Sequence, residues 1–269
     1  FWKLLFTTPL GGLLDVQTTM AMFEMRNTTL MQALGQADAI VCPSKFLVET
    51  LRSRGAPTKK LILNTHGLDT SSWLPILEKP IQDDKYRIGY IGQICEHKGV
   101  HLLIHALPHI QTTRELEILI YGDDQAFPDY AAHLKSLAKG DPRIKFMRKY
   151  SYPETRRVLS PLDVVVIPSL WNEIGPWVLF EAYEMRKPVI ASNIPNMSYV
   201  IKDEENGLLF DRGDPVALAR QIQKLIEQPG VAHRLVANTP PVKSIDEELL
   251  QLLEIYQGIV QPQSTSLSN

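Results

Sequence analysis

The chain has 269 residues, 44% hydrophobic and 22% charged, an ordinary globular balance with room for about two domains. Its 28 basic and 30 acidic residues nearly cancel, which removes any global electrostatic case for nucleic acid. Two cysteines, Cys42 and Cys95, are too few for a disulfide scaffold or a Cys-rich metal site. Both stand in apolar, strand-like contexts, so inert buried thiols in a reducing, cytoplasmic setting are expected. No uninterrupted apolar run approaches the ~20 residues needed to span a bilayer.

The opening FWKLLFTTPLGGLL is broken by Thr7, Thr8 and Pro9 and lacks an initiating Met. It reads as the interior of a longer protein rather than a signal peptide. TTMAMFEMRNTTLMQALGQ is helix-compatible and leads into a strand, ADAIVCPS. Ser44 can cap the next helix, KFLVETLRSRG, and Gly55 can close it. KLILNTHG is a further strand, followed by a Pro-containing linker, LPILEKPIQDD. Two such units are too few for an independent doubly wound sheet. Residues 1–78 are therefore read as the carboxyl end of a second Rossmann-like domain, with a small accessory lobe as the alternative.

From Tyr86 onward, short Val-, Ile- and Leu-rich runs alternate with helical stretches. YRIGYIGQ precedes GVHLLIHALPHIQ, LEILIYG precedes PDYAAHLKSLAK, and RIKFM precedes PETRRVLS. LDVVVIPS, PVIAS and GLLF are each followed in turn by PWVLFEAYEMR, PNMSYVI and PVALARQIQKLIEQ. Strands apolar on both faces, each followed by a helix, predict a parallel sheet covered on both sides. Right-handed crossovers then make residues 79–240 an α/β, doubly wound, Rossmann-like domain. A helix with Ser244 as N-cap is predicted within 241–261, and QPQSTSLSN, through 262–269, reads as a disordered tail.

Ligands of an open parallel sheet bind beyond the carboxyl ends of its strands, so the strand–helix junctions carry the search. In IPSLWNEIGPWVLFEA, Pro176 suits a first helical position and Gly175 lets a ligand approach the backbone. The helix start offers an anion site between Glu173 and Glu181. A ligand with hydroxyls at both ends and phosphate between fits that layout. Alone, the two glutamates are better explained as a solvated loop residue and a helix residue paired with Arg186 or Lys187. In YIGQICEHKGV, Gly92 ends a strand and Lys98 can meet a phosphate, although a surface lysine beside a capping glycine explains it too. Neither GxxxxGK[ST] nor GxGxxG is present, nor is a GxSxG elbow. Turn chemistry accounts for Asp123–Asp124, and the seven histidines are not expected to build a zinc site, so no metal is expected. His66 falls near the inter-lobe side, where an ordinary loop histidine is the simpler reading than a catalytic one.

Taken together and in order, ADAIVCPSKFLVETLRSRG, LNTHGLD, YIGQICEHKGVHLLIHAL, LEILIYGDD, IPSLWNEIGPWVLFEAYEMRKPVIAS and ENGLLFDRGDPVALARQI resemble the family 4 glycosyltransferases of GT-B fold. The match runs from about Met25 to Gln228 and includes that family's E-x7-E signature. The resemblance implies a retaining transferase that takes a sugar from a nucleoside-diphosphate-sugar donor, with no cofactor or metal required. It implies that Lys98 contacts the diphosphate, Glu173 the sugar hydroxyls and Glu181 the ribose, with Glu173 and Lys98 the catalytic pair. Amides of Ile174, Gly175, Trp177 and Val178 would face sugar and phosphates, and the base would be held by main-chain groups near Lys149 and Tyr150. The family's usual arginine after the strand glycine is Gln93 here, and its amino-terminal catalytic loops would lie upstream of Phe1. The acceptor, whether saccharide, lipid or small molecule, is not indicated. Peripheral contact with the inner face of a membrane stays open for this family, through the missing region. The alternatives are a non-catalytic nucleotide-sugar-binding fragment and a GT-B nucleotide-sugar epimerase.

Overall fold

The computed structural model describes residues 16–76 and 83–260. The FWKLLFTTPLGGLL opening, part of the LPILEKPIQDD linker and the QPQSTSLSN tail lie outside the described residues. Helix α1 (Val16–Gln36) leads to strand β1 (Ile40–Cys42), helix α2 (Lys45–Ser53) and strand β2 (Leu61–Leu63). The two strands pair in parallel, with Ile40 opposite Leu61. Ser44 caps α2 as predicted, its hydroxyl accepting from the Leu47 amide at 3.3 Å. Burial is sparse in this part: neither α1 nor α2 contains a buried residue.

The second sheet is built from β3 (Tyr86–Ile91), β4 (Leu116–Tyr121), β5 (Ile144–Phe146), β6 (Val164–Ile167), β7 (Val189–Ser192) and β8 (Leu208–Phe210). Its spatial order is β5-β4-β3-β6-β7-β8 and every pairing is parallel. The intervening helices are α3 (Val100–Ala106), α4 (Pro128–Ala138), α5 (Thr155–Leu159), α6 (Trp177–Glu184), α7 (Pro195–Ser198) and α8 (Pro215–Glu227). One apolar layer joins Ile88, Ile118 and Val164 of the sheet to Leu103 of α3 and Ile222 of α8. The opposite layer joins Leu119, Val165 and Ala191 to Leu159 of α5 and Leu179 of α6. Both faces of the sheet are covered, which is why its strands read as continuous apolar runs rather than alternating ones.

Helix α9 (Pro229–Ala237) is not among the predicted elements. Its signal was modest: Pro229 at its first position and buried Val231 and Leu235 four apart. Helix α10 (Ile245–Val260) begins directly after Ser244, as expected. Ser244 and Glu247 form a reciprocal cap, with the Glu247 amide donating to Ser244 Oγ at 3.2 Å and the Ser244 amide to Glu247 Oε2 at 2.7 Å. The start of α10 packs not on the large sheet but on the loop after β2: Leu68 bridges Ser244 in parallel fashion. No helix among the described residues is long and apolar enough to cross a membrane.

Candidate active site

Strand order reverses between β3 and β6, and the loops leaving those two strands meet there. The first loop starts at Gly92, where Tyr90 Oη donates to the Gln93 carbonyl at 2.7 Å. It closes in a single tight turn, Glu96–Lys98, that ends on Gly99 with φ 72°. A Cβ at Gly99 would stand 2.0 Å from the Pro168 carbonyl oxygen, so this approach of the two loops requires glycine. The Leu170 amide also donates to the His97 carbonyl at 2.8 Å. The two loops thus behave as one body.

Lys98 uses that union. Its Nζ lies 2.6 and 2.8 Å from the two carboxylate oxygens of Glu173. Ser169 Oγ, on a buried residue, donates to Glu173 Oε1 at 2.7 Å. The buried Asn196 amide donates to the Glu173 carbonyl. Glu173 is therefore held at both its side chain and its backbone. The pair is largely withdrawn from solvent, with side-chain exposures of 26% for Lys98 and 13% for Glu173, so their attraction is screened less than at an open surface. Sequence reasoning treated the two as separate contacts, and the structure joins them in one ion pair.

Helix α6 starts one residue later than expected. Pro176, with φ −79° and ψ 84°, is its N-cap and not its first helical residue. Two of the early amides are already engaged: Trp177 donates to the Gly175 carbonyl and Leu179 to the Pro176 carbonyl, each at 3.0 Å. Val178, which lines the cavity, keeps the first-turn amide that is not tied back in this way. One turn into the helix, Glu181 is 6% exposed, and its carboxylate has no hydrogen bond or ion pair among the described residues. Burial alone pushes it up to about 7. A carboxyl group left so is an acceptor without its donor.

These groups enclose a cavity of about 240 Å³, lined by Gly92, Lys98, Tyr150, Glu173, Gly175, Trp177, Val178 and Glu181. Burial raises the Tyr150 phenol, with the nearby Glu181 carboxyl as the second cause. Two expected residues do not line it. Gln93 is exposed and its carbonyl is turned toward Tyr90, and the Ile174 side chain is 56% exposed.

His66 carries more than an ordinary loop histidine would. Its ring stacks on Trp177, with centroids 5.1 Å apart and planes 25° from parallel. Its Nδ1 is 3.2 Å from Glu248 Oε1, on α10. Sequence reasoning missed Glu248, which is 182 positions away in the chain. His101 and His105 do stand in HxxxH spacing, at i, i+4 on α3, with ring centroids 6.3 Å apart. No group of three or more His, Cys, Asp or Glu that could hold a metal occurs among the described residues. Asp123 accepts from the Gln125 amide at 2.9 Å and Asp124 pairs with Lys135 at 2.8 Å, as turn residues do. Both cysteines are free, buried and raised by burial. Cys42 is in β1, whereas Cys95 lies in the loop beyond β3 and not in a strand.

Residues 76–241 match the family described as "Glycosyl transferases group 1". Among similar proteins is alpha-D-kanosaminyltransferase of Streptomyces kanamyceticus, 26% identical over 66% of this chain and 47% of that protein. Another is D-inositol 3-phosphate glycosyltransferase of Corynebacterium efficiens, 24% identical over 76% of this chain and 52% of that protein. The chain spans about half the length of these curated relatives. Among solved structures, Anabaena HepE in complex with UDP and glucose superposes with a TM-score of 0.76 at 17% identity. That superposition covers 91% of this chain and 70% of HepE, and it bears on the fold, which is that of the GT-B glycosyltransferases.

Proposed function

The chain belongs to the group 1 glycosyl transferases, and from that premise we propose that its cavity binds a nucleoside-diphosphate-sugar and serves sugar transfer with retention at the anomeric carbon. The observation that carries the reading is the convergence of Lys98, Glu173 and Glu181 on one cavity at the start of α6. In this reading Lys98 Nζ takes the diphosphate. Glu173, released from Lys98, accepts hydrogen bonds from the transferred sugar. Glu181 accepts from the ribose hydroxyls, which would supply the donors its buried carboxyl lacks and favour its ionised form. Tyr150 lies beside Glu181 and would flank the base.

Transfer needs stabilisation of an oxocarbenium-like carbon and of a departing nucleoside diphosphate. Lys98 and the Val178 amide would meet the charge that develops on the leaving phosphate. No metal is assigned a role, and neither glutamate is assigned as a nucleophile. The complex of HepE with UDP makes UDP the first nucleotide to try. The acceptor is left to experiment.

A thermal-shift panel of UDP-, GDP- and ADP-sugars is the direct test. A donor at ~100 times its dissociation constant raises stability by about 2.7 kcal/mol. Loss of a charge-assisted contact in Lys98→Ala is expected to weaken donor binding about ten- to hundredfold. No shift with any donor, or equal affinity in wild type, Lys98→Ala and Glu181→Ala, would sink the reading. Acceptor-dependent product from a bound donor separates a transferase from a chain that only binds.

A further inference from the structure

The loop between β2 and the tight turn at residues 70–72 is fastened to the start of α10 by an unusually dense set of contacts. The Leu68 amide donates to the Lys243 carbonyl at 2.9 Å, and the Ile245 amide returns to the Leu68 carbonyl at 3.0 Å. A Cβ at Gly67 would stand 2.1 Å from the Ser244 carbonyl oxygen, so the helix approaches there only because the residue is glycine. Lys243 Nζ donates to the Thr65 carbonyl at 2.9 Å and to the Asn64 side chain. Glu248 completes the set with both oxygens: Oε2 accepts from the Gly67 amide at 2.7 Å, while Oε1 faces His66 Nδ1 at 3.2 Å.

That last contact fixes the ring. An ionised carboxylate only accepts, so the proton of the neutral imidazole belongs on Nδ1, and Nε2 is left as an acceptor. Nε2 has no hydrogen-bond partner among the described residues. Its edge of the ring lies against Gly175: a Cβ built there would be 2.9 Å from His66 Cδ2 and 3.6 Å from Nε2. The flat of the ring rests on Trp177. Gly175 and Trp177 both line the cavity, so the free nitrogen stands beside two residues of its wall. Stacking and the carboxylate contact together leave the ring little freedom to turn.

We propose that Glu248 is a positioning residue that locks His66 with Nδ1–H toward its carboxylate, so that Nε2 accepts a hydrogen bond from a sugar hydroxyl at the cavity wall. The inference rests on the donor reading above. It adds to that reading a contact that distinguishes a sugar-bearing nucleotide from the bare nucleotide, supplied by a helix far from the cavity in sequence.

Two measurements test it. The first needs no ligand: ¹⁵N shifts of the His66 ring at high pH should report a protonated Nδ1 in the wild type and a mixture of tautomers in Glu248→Ala. An unchanged spectrum would overturn the lock. The second compares UDP-glucose with UDP on wild type, His66→Ala, Glu248→Ala and Glu248→Gln. Loss of one neutral hydrogen bond should weaken UDP-glucose about two- to tenfold in His66→Ala and Glu248→Ala, with UDP affinity unchanged. Glu248→Gln, whose amide oxygen can still accept from Nδ1–H, should recover part of the loss. Unchanged UDP affinity also shows that the cavity is intact in each variant. Equal weakening of both ligands would mean a purely structural anchor and overturn the proposal, as would no change in either. Wild type that binds neither ligand, nor any other donor of the panel, would overturn the donor reading itself, a result distinct from loss of selectivity alone.

Discussion

The six-stranded sheet and the two-stranded sheet are made from the same strand–helix grammar, yet only the first has a core of its own. Strands β3 and β6 are buried along their whole length, while α1 and α2 contain no fully buried residue and Val41 and Leu63 are exposed. The consequence is a division of labour. The large sheet supplies the rigid junctions that hold Lys98, Glu173 and Glu181. The small one contributes a single loop, and α10 fastens that loop through Lys243, Ile245 and Glu248.

The comparison can be broken most forcefully in the large sheet. Leu103 is fully buried on α3, and Leu103→Ala should cost about 2–5 kcal/mol in denaturant unfolding. A loss below 1 kcal/mol would mean that the layer against α3 is not the core it looks to be. Next in size is the pH dependence that Glu181 imposes. Its folded value of about 7 lies above the ordinary 4.5, so between those values the folded chain holds a proton that the unfolded chain has released. Stability should therefore fall as pH rises from about 4.5 to 7 and level off above, by roughly 3 kcal/mol at most from this group. Glu181→Gln should flatten that slope; melts at pH 5 and pH 8 with identical slopes in both proteins would remove the unpartnered carboxylate from the account.

Smaller effects sharpen the other side. With little burial to rely on, the two-stranded region depends more on local signals, and Ser44→Ala should cost about 1 kcal/mol through loss of the α2 cap. Met25, 66% exposed on α1, should tolerate alanine within about 0.5 kcal/mol. A larger loss at Met25 than at Ser44 would show that α1 has a partner in solution.

How much could be read from the sequence follows the same divide. YRIGYI, LEILIY and DVVVI announce buried parallel strands because every position is apolar or closely packed, and the junction residues follow from where those strands end. Glu173, Glu181 and Lys98 could be picked out as candidates at those junctions, and their proposed roles came from the family resemblance. Their arrangement was not, because the Lys98–Glu173 contact depends on Gly99 seating against Pro168, and nothing local in either loop records the other. Pro176 fell outside the helix since proline serves either as cap or as first residue, and its ψ of 84° makes it the cap here. Gln93 and Ile174 were assigned by position in a motif, and both are exposed and outside the cavity lining. Glu248 was invisible: an acidic residue in the first turn of an acidic helix explains itself locally, and only the tertiary approach at Gly67 brings it to His66.

The ion pair between Lys98 and Glu173 has a consequence for what can enter. These two side chains satisfy one another, so neither is a bare charge waiting for a ligand. A lone anion that draws away the lysine strands the carboxylate, and a lone hydroxyl donor that engages the carboxylate must compete with the ammonium. A molecule that presents both groups at the right separation substitutes for both partners in one step and leaves nothing orphaned. A ligand that brings both groups together is the one this ion pair is expected to favour over an anion or a hydroxyl alone.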